Sequence, residues 1–185
     1  MTRTEIRIAG LGGQGIILAG ILLGQAAIHE GKKAVQTQSY GAETRGGAAR
    51  SEVILSNERI DYPKVISADI TITMSQESFD KYGSDAKPEG ALFVDPDLVT
   101  HIPATVRTTI YRVPATKLAA DELKKTLVAN MIMLGALAAV TKCVELDSLR
   151  MSLSEVAPKA SLDLNIRALE RGFEWARANL ATPSI

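Results

Sequence analysis

The sequence predicts one three-layer α/β domain over residues 1–185, with a mostly parallel sheet and a helical C-terminal third. Three observations carry this. A short β-rich stretch, Thr4 to Ala9, runs through Gly10-Leu11-Gly12-Gly13-Gln14-Gly15 straight into a long apolar helix. Short β-branched runs then recur as far as Val113. From Pro114 onward the apolar residues repeat at three- and four-residue steps instead. No repeat, low-complexity segment or linker divides the 185 residues, and a 46% hydrophobic content is enough for a core without staples.

Each element has its own signal. The first helix, about Gly13 to Glu30, carries Ile16, Ile17, Ile21, Leu22 and Ile28 on nearly every side and is expected to be mostly buried. Gly20 and Gly24, four apart, leave a flat strip for close packing, and Gly31 is a C-terminal cap. Ala34 to Gln38 reads as the second strand and Ser51 to Leu55 as the third, with Asn57-Glu58 as a turn. Ile70 to Thr73 is a β-branched strand. Ser75 caps the helix that follows, with Ser78 in place of the acidic partner of a full capping box. Lys87-Pro88-Glu89-Gly90 reads as a turn, Ala91 to Val94 as a buried strand and Thr108 to Val113 as the last one. Helices are expected over Leu118 to Lys125, over Leu127 to Thr141, and from an Asp147 cap through Leu153. A final helix aligns Leu162, Ile166, Leu169, Phe173, Ala176 and Leu180 on one face.

Composition excludes several functions. Lys+Arg 21 against Asp+Glu 21 leaves no net charge, so the basic excess of a nucleic-acid binder is missing. Neutrality also favours association, and the apolar faces at 127–140 and 162–180 exceed the expected needs of a small sheet. A partner subunit or a homodimer is therefore expected. The lone Cys143 cannot hold an iron–sulfur cluster and reads as a small buried hydrophobe. His29 and His101 are far apart and form no metal-binding motif, so no metal site is expected. The longest apolar run, Leu127 to Val140 with Asn130 inside it, falls short of the ~20 residues that a membrane span needs. With no secretory signal, the expected location is cytoplasmic.

Two glycine loops concentrate the chemistry. Gly10, Gly12 and Gly15 have Rossmann-like spacing, which lets backbone N–H groups approach a phosphate at a helix N-terminus. Ordinary NAD binding requires an acidic residue after the second strand, yet that strand ends Val35-Gln36-Thr37-Gln38. A P-loop requires a lysine where Ile16 stands. Gly10, Gly12, Gly13, Gln14 and Gly15 thus remain a candidate anion contact or a tight turn chosen for packing, with the Gln14 amide expected to project beside the helix. A β-branched residue at Gly12 is expected to disturb both folding and ligand contact. The second loop carries Ser39, Tyr40, Gly41, Glu43, Arg45, Gly46 and Gly47, with Arg50 beyond it. It is expected past the carboxyl end of a parallel strand, where open α/β sheets place sites. It reads as an interface or ligand loop, or as a solvated one.

These paired loops, with Ser51-Glu52-Val53, Tyr62-Pro63, Asp95-Pro96-Asp97 and the stretch Val128 to Ala136, resemble the gamma subunit of 2-oxoacid:ferredoxin oxidoreductases, closest to the 2-oxoglutarate branch. The resemblance spans nearly the whole chain. It implies a non-catalytic subunit in a complex that converts a 2-oxoacid and coenzyme A to acyl-CoA and CO2 while reducing ferredoxin. It implies further that thiamine diphosphate, Mg and iron–sulfur clusters sit in alpha, beta and delta partners, and that coenzyme A touches the first loop. A pyruvate- or indolepyruvate-type small subunit and a free-standing nucleotide-binding regulatory domain are the alternatives.

Overall fold

The computed structural model describes residues 3–40 and 48–180. Strand β1 (Arg3–Leu11) passes through the first glycine loop into α1 (Ile16–His29). Then come β2 (Lys33–Tyr40), β3 (Ala48–Ser56), β4 (Ala68–Thr73), α2 (Gln76–Tyr82), β5 (Ala86–Val94) and β6 (Thr109–Arg112). The C-terminal third holds α3 (Ala115–Asp121), α4 (Ala129–Thr141), α5 (Leu146–Val156) and α6 (Lys159–Asn179). The strands lie in the order β2-β3-β1-β4-β5-β6. Among these strands β3 runs against the other five, because it is antiparallel to both β2 and β1 while the remaining pairs are parallel.

The three layers are unequal. One sheet face, with Ile6, Ile8, Ile72 and Phe93, joins α1, α3, α4, α5 and α6 in the main core. The other face is thinner: Phe79 of α2 meets Leu92, Val94 and Val99, and Ile54 meets Val65 and Ala68. Largely irregular segments at 57–67 and 95–108 complete that cover. Under it lies a charged pair, Arg7 Nε to Glu52 Oε1 at 2.9 Å, in which Arg7 is 4% and Glu52 7% exposed. The Arg7 and Arg50 guanidiniums each sit 5.4 Å from the centre of the Tyr82 ring.

Glycines set the packing of α1 and its end. A Cβ on Gly20 would overlap Ser51 Oγ, so α1 rests directly on β3. Gly31 (φ +75) ends α1 in a Schellman turn, with Gly31 N–H donating to Ile28 O and Lys32 N–H to Ala27 O. Much of the apolar surplus expected on the last helices is taken up inside the chain, although Leu127 stays exposed and Leu162, Ile166, Phe173 and Leu180 are half-buried. Every residue from Ala129 to Val140 is buried, with α4 enclosed by α1, α3, α5 and α6.

Several local expectations are corrected. Lys87 to Gly90 is no turn: it lies within β5, where pairing passes from Ala68↔Ala86 to Ile70↔Ala91 and β5 accommodates three more residues than β4. Proline and glycine marked a bulge here, since a bulge uses the same chain punctuation as a turn. Ser75 and Ser78 do form a reciprocal capping box, because the Ser78 hydroxyl accepts from Ser75 N–H as a longer acidic side chain would. Helix α3 starts at Ala115 and stops at Asp121, ahead of Lys124 at φ +57. Glu145, not Asp147, precedes α5, and Asp147 lies in the first turn.

Candidate functional site

The carboxyl ends of five strands meet at one edge of the sheet, and the first glycine loop sits there. Gly10 pairs with Ala49 of β3, which pairs on its far side with Tyr40 of β2. Of the two ends of the second loop stretch, Ala48 therefore pairs with Leu11 at the first loop, while Tyr40 lies one strand further out, across β3. The second loop does not follow a parallel strand pair as expected. Ser39 and Tyr40 are strand residues paired antiparallel with Arg50 and Ala49, because β3 inserts between β2 and β1. Gly41, Glu43, Arg45, Gly46 and Gly47 lie outside the described residues.

The first loop is held from within. Gln14 Oε1 accepts from Leu11 N–H at 2.6 Å, and Gln14 Nε2 donates to Met74 O at 2.7 Å. Its amide thus latches β1 to the end of β4 rather than projecting outward. Gly10 leaves room for that latch, since a Cβ would lie 2.5 Å from Gln14 Oε1 and 2.7 Å from Ile16 Cδ1. Gly13 (φ +92) and Gly15 (φ +72) take left-handed conformations, whereas Gly12 is exposed without one, so the strained positions are 13 and 15. Gly15 precedes α1 without a side-chain cap, and the first helical bond is Ala19 N–H to Gly15 O. The amides of Ile16, Ile17 and Leu18 have no carbonyl partner within the helix, the usual condition for receiving an anion.

A cleft of about 260 Å³ opens beside this loop, bounded by Gly13, Gln14, Leu98, Thr116, Thr126 and Asn130. Asp95, fully buried after β5, holds Thr116 of the cleft lining: Oδ2 accepts from Thr116 N–H at 2.7 Å and Oδ1 from Asp97 N–H at 3.1 Å. Burial raises the Asp95 pKa above its ordinary 3.8, only partly offset by the Thr116 hydrogen bonds. A second groove, about 480 Å³ and mainly apolar, continues past Leu127 between Leu18, Val156, Pro158 and Leu164. Gly15, Leu127 and Asn130 border it, and Leu127 and Asn130 line both spaces.

Of the residues singled out from the sequence, Gly13 and Gln14 line the cleft and Gly15 lines the groove, whereas Asn130, Thr116 and Thr126 of the cleft wall were not picked out. For Asn130 a signal existed: it is the one amide inside the apolar run 127–140. Thr116 and Thr126 stand on short elements brought to the edge only by the fold. Among the described residues, no three His, Cys, Asp or Glu side chains converge as metal ligands. No described helix is long and apolar enough to cross a membrane.

A family model described as pyruvate ferredoxin/flavodoxin oxidoreductase matches residues 5–175. The chain belongs to that family. Within it, the chain is 48% identical over 177 residues to the 2-oxoglutarate synthase subunit KorC of Methanocaldococcus jannaschii, covering 95% of each. It is 29% identical over 173 residues to the pyruvate synthase subunit PorC of Methanothermobacter marburgensis, covering 92% of this chain and 96% of that one. The gamma subunit of a keto/oxoacid ferredoxin oxidoreductase from Geobacter sulfurreducens superposes with a TM-score of 0.84 at 40% identity, over 95% of this chain and 99% of that one. The 2-oxoglutarate:ferredoxin oxidoreductase of Magnetococcus marinus, solved with 2-oxoglutarate, coenzyme A and succinyl-CoA, superposes with a TM-score of 0.86 at 26% identity. The match covers 99% of this chain but 32% of that longer one. The expected gamma-type α/β fold is thereby borne out.

Proposed function

We propose that this chain is the gamma subunit of a 2-oxoglutarate:ferredoxin oxidoreductase. The complex would cleave CO2 from 2-oxoglutarate, pass the succinyl group to the thiol sulfur of coenzyme A, and deliver the electron pair to ferredoxin. The supporting observation is the contrast between 48% identity to a 2-oxoglutarate synthase subunit and 29% to a pyruvate synthase subunit over similar lengths.

In this reading the chain carries no catalytic residue. Thiamine diphosphate, Mg and iron–sulfur clusters belong to alpha, beta and delta-type partners, since the chain's single cysteine is buried and no metal-ligand cluster forms among the described residues. Its own contribution is to hold coenzyme A at the cleft beside Gly12, Gly13 and Gly15. The free amides of the first turn of α1 would face a phosphate oxygen, and Gln14 would keep the loop in shape. Ser39, Tyr40, Gly41, Glu43, Arg45, Gly46 and Gly47 would form the interface or ligand loop beside it. The subunit would work in the cytoplasm, with ferredoxin reached through the complex.

Co-expression with its partner subunits tests the proposal. The reconstituted complex should reduce ferredoxin with 2-oxoglutarate and coenzyme A, and do so poorly with pyruvate or indolepyruvate. A preference for either rival acid would overturn the substrate assignment. Gly13→Val, placed at φ +92 with no atom within 4 Å of its Cβ, should raise the coenzyme A KM while sparing the 2-oxoglutarate KM.

A further inference from the structure

The two edges of the sheet are built differently. At one, β6 has four residues and ends at Arg112, two residues before Pro114, which suits a closed edge. At the other, β2 runs for eight residues in unbroken register with β3. It contains no proline, glycine or bulge, and its one charged residue, Lys33, stands at its start. Alternate N–H and C=O groups of an edge strand point away from its single neighbour. Among the described elements only β3 and α1 pack closely on β2, so that row of groups meets no further strand there.

Helix α1 makes the same edge apolar. Ile17, Ile21 and Ile28 fall on one stripe of it. Ile28 is 58% exposed, Ile17 and Ile21 are half-buried, and none of the three joins a core cluster of described residues. Gly20 and Gly24 set the helix down on the sheet, against Ser51 of β3 and Ala34 of β2. The stripe lies on the other side of these glycines from buried Ala19, Leu23 and Ala26, and therefore overhangs the free edge of β2. From Ile16 to Ile28 the helix has no charged residue.

Symmetry selects the occupant. A two-fold axis perpendicular to the sheet joins two β2 strands antiparallel and keeps both α1 helices on the same side. Opposed residues must share a face, so the axis passes through a residue. Val53 touches the positions of both Gly20 and Gly24 and pairs with Gln36, so an axis at Gln36 crosses α1 between the two glycines. Ile17 of one copy then comes opposite Ile28 of the other. Along the strand, Lys33 faces Ser39 of the second copy and Val35 faces its Thr37, so no like charges oppose each other. An acidic or basic partner gains nothing from so neutral a face, whereas a second copy matches it strand to strand and stripe to stripe.

We propose that the free edge of β2 and the stripe of Ile17, Ile21 and Ile28 form a dimer interface between two copies of this chain. Their sheets join into one continuous sheet across an axis at Gln36.

Sedimentation equilibrium on the full-length chain should give twice its mass of 19.8 kDa. Gln36→Cys should form an intermolecular disulfide under mild oxidation, because residues directly opposed on antiparallel strands have the Cα separation that the bond needs. Ile66→Cys, more exposed but on the segment covering the opposite face of the sheet, should not. Ile28→Lys should leave the circular dichroism unchanged, since the site is exposed and a cation suits a helix C-terminus. It should raise the dimer Kd about tenfold or more, because the ammonium must be buried against Ile17 of the second copy. Thr37→Lys should weaken the dimer in the same way from the strand. A monomeric unmodified chain would overturn the proposal, and if Ile28→Lys then also blocked assembly with the other subunits, the edge would belong to one of them. A dimer that neither lysine weakens, or one that Gln36→Cys does not cross-link, would overturn it as well.

Discussion

Gly135 of α4 and Gly172 of α6 each face the other helix's backbone. A Cβ at Gly135 would overlap Leu169 O, and one at Gly172 would overlap Ile132 O. The two helices therefore meet at backbone contact, which closes the core over the last third of the chain.

Gly172→Ala tests this contact. Alanine gains about 1 kcal/mol of helix propensity over glycine, but the clash is with backbone, which cannot rotate away. Overpacking of this kind costs about 3 kcal/mol and should dominate. Urea denaturation should show a net loss of stability, and a gain would mean that the crossing is looser than described.

Glu52→Ala should destabilise the domain by about 3 kcal/mol, because it leaves the Arg7 guanidinium buried without its nearest carboxylate. Replacing both, Arg7→Met with Glu52→Met, should cost less than the single change, since neither charge then needs solvation. Equal losses in the single and double variants would show that Asp85, 3.3 Å from Arg7, already carries the pairing.

Glu30 and Asp95 should titrate in opposite senses. Burial works to raise Glu30, but the Lys32 ammonium at 2.7 Å and the Glu145 N–H outweigh it and hold it below its ordinary 4.5. Its contribution to stability is present above the unfolded value and is lost as pH falls through the folded one. Burial raises Asp95, so the native state binds that proton more readily, and its contribution falls as pH rises through the interval above 3.8. Carboxyl-carbon NMR titration of the native protein should place the Glu30 midpoint below 4.5 and the Asp95 midpoint above 3.8. A Glu30 midpoint above 4.5 or an Asp95 midpoint below 3.8 would refute the account.

Cys143 is 2% exposed, and burial pushes its thiol up to about 11. It should resist a disulfide reagent at pH 8 in the native protein and react at once when unfolded. Rapid native labelling would contradict its burial.

A last prediction concerns the second loop. Arg45→Ala should leave the melting temperature of the isolated subunit almost unchanged, within about 0.5 kcal/mol as for surface sites generally. In the complex it should lower 2-oxoacid-dependent ferredoxin reduction, raise the coenzyme A requirement or weaken assembly. A fully active, normally assembled variant would return the loop to a solvated role.

The α/β class, the order of most elements and the glycine loop were legible from local sequence. Helix and strand periods, the Gly31 cap and the buried character of Cys143 depend on neighbours a few residues away, and these the chain states directly. The position of β3 was not legible. Ser51 to Leu55 reads as a strand whichever neighbour it joins, and only packing under Gly20 and beside Gly10 inserts it between β2 and β1, turning an expected parallel edge into antiparallel pairing. The same limit explains Gln14 and Asn130. Each is a polar residue whose partners, Met74 O at 60 residues' separation and Gly15 O at 115, are supplied by the closed sheet and the docked α4. Tertiary structure decided that Gln14 latches the loop and that Asn130 reaches Gly15, because hydrogen-bond partners this distant in sequence exist only once the chain has folded.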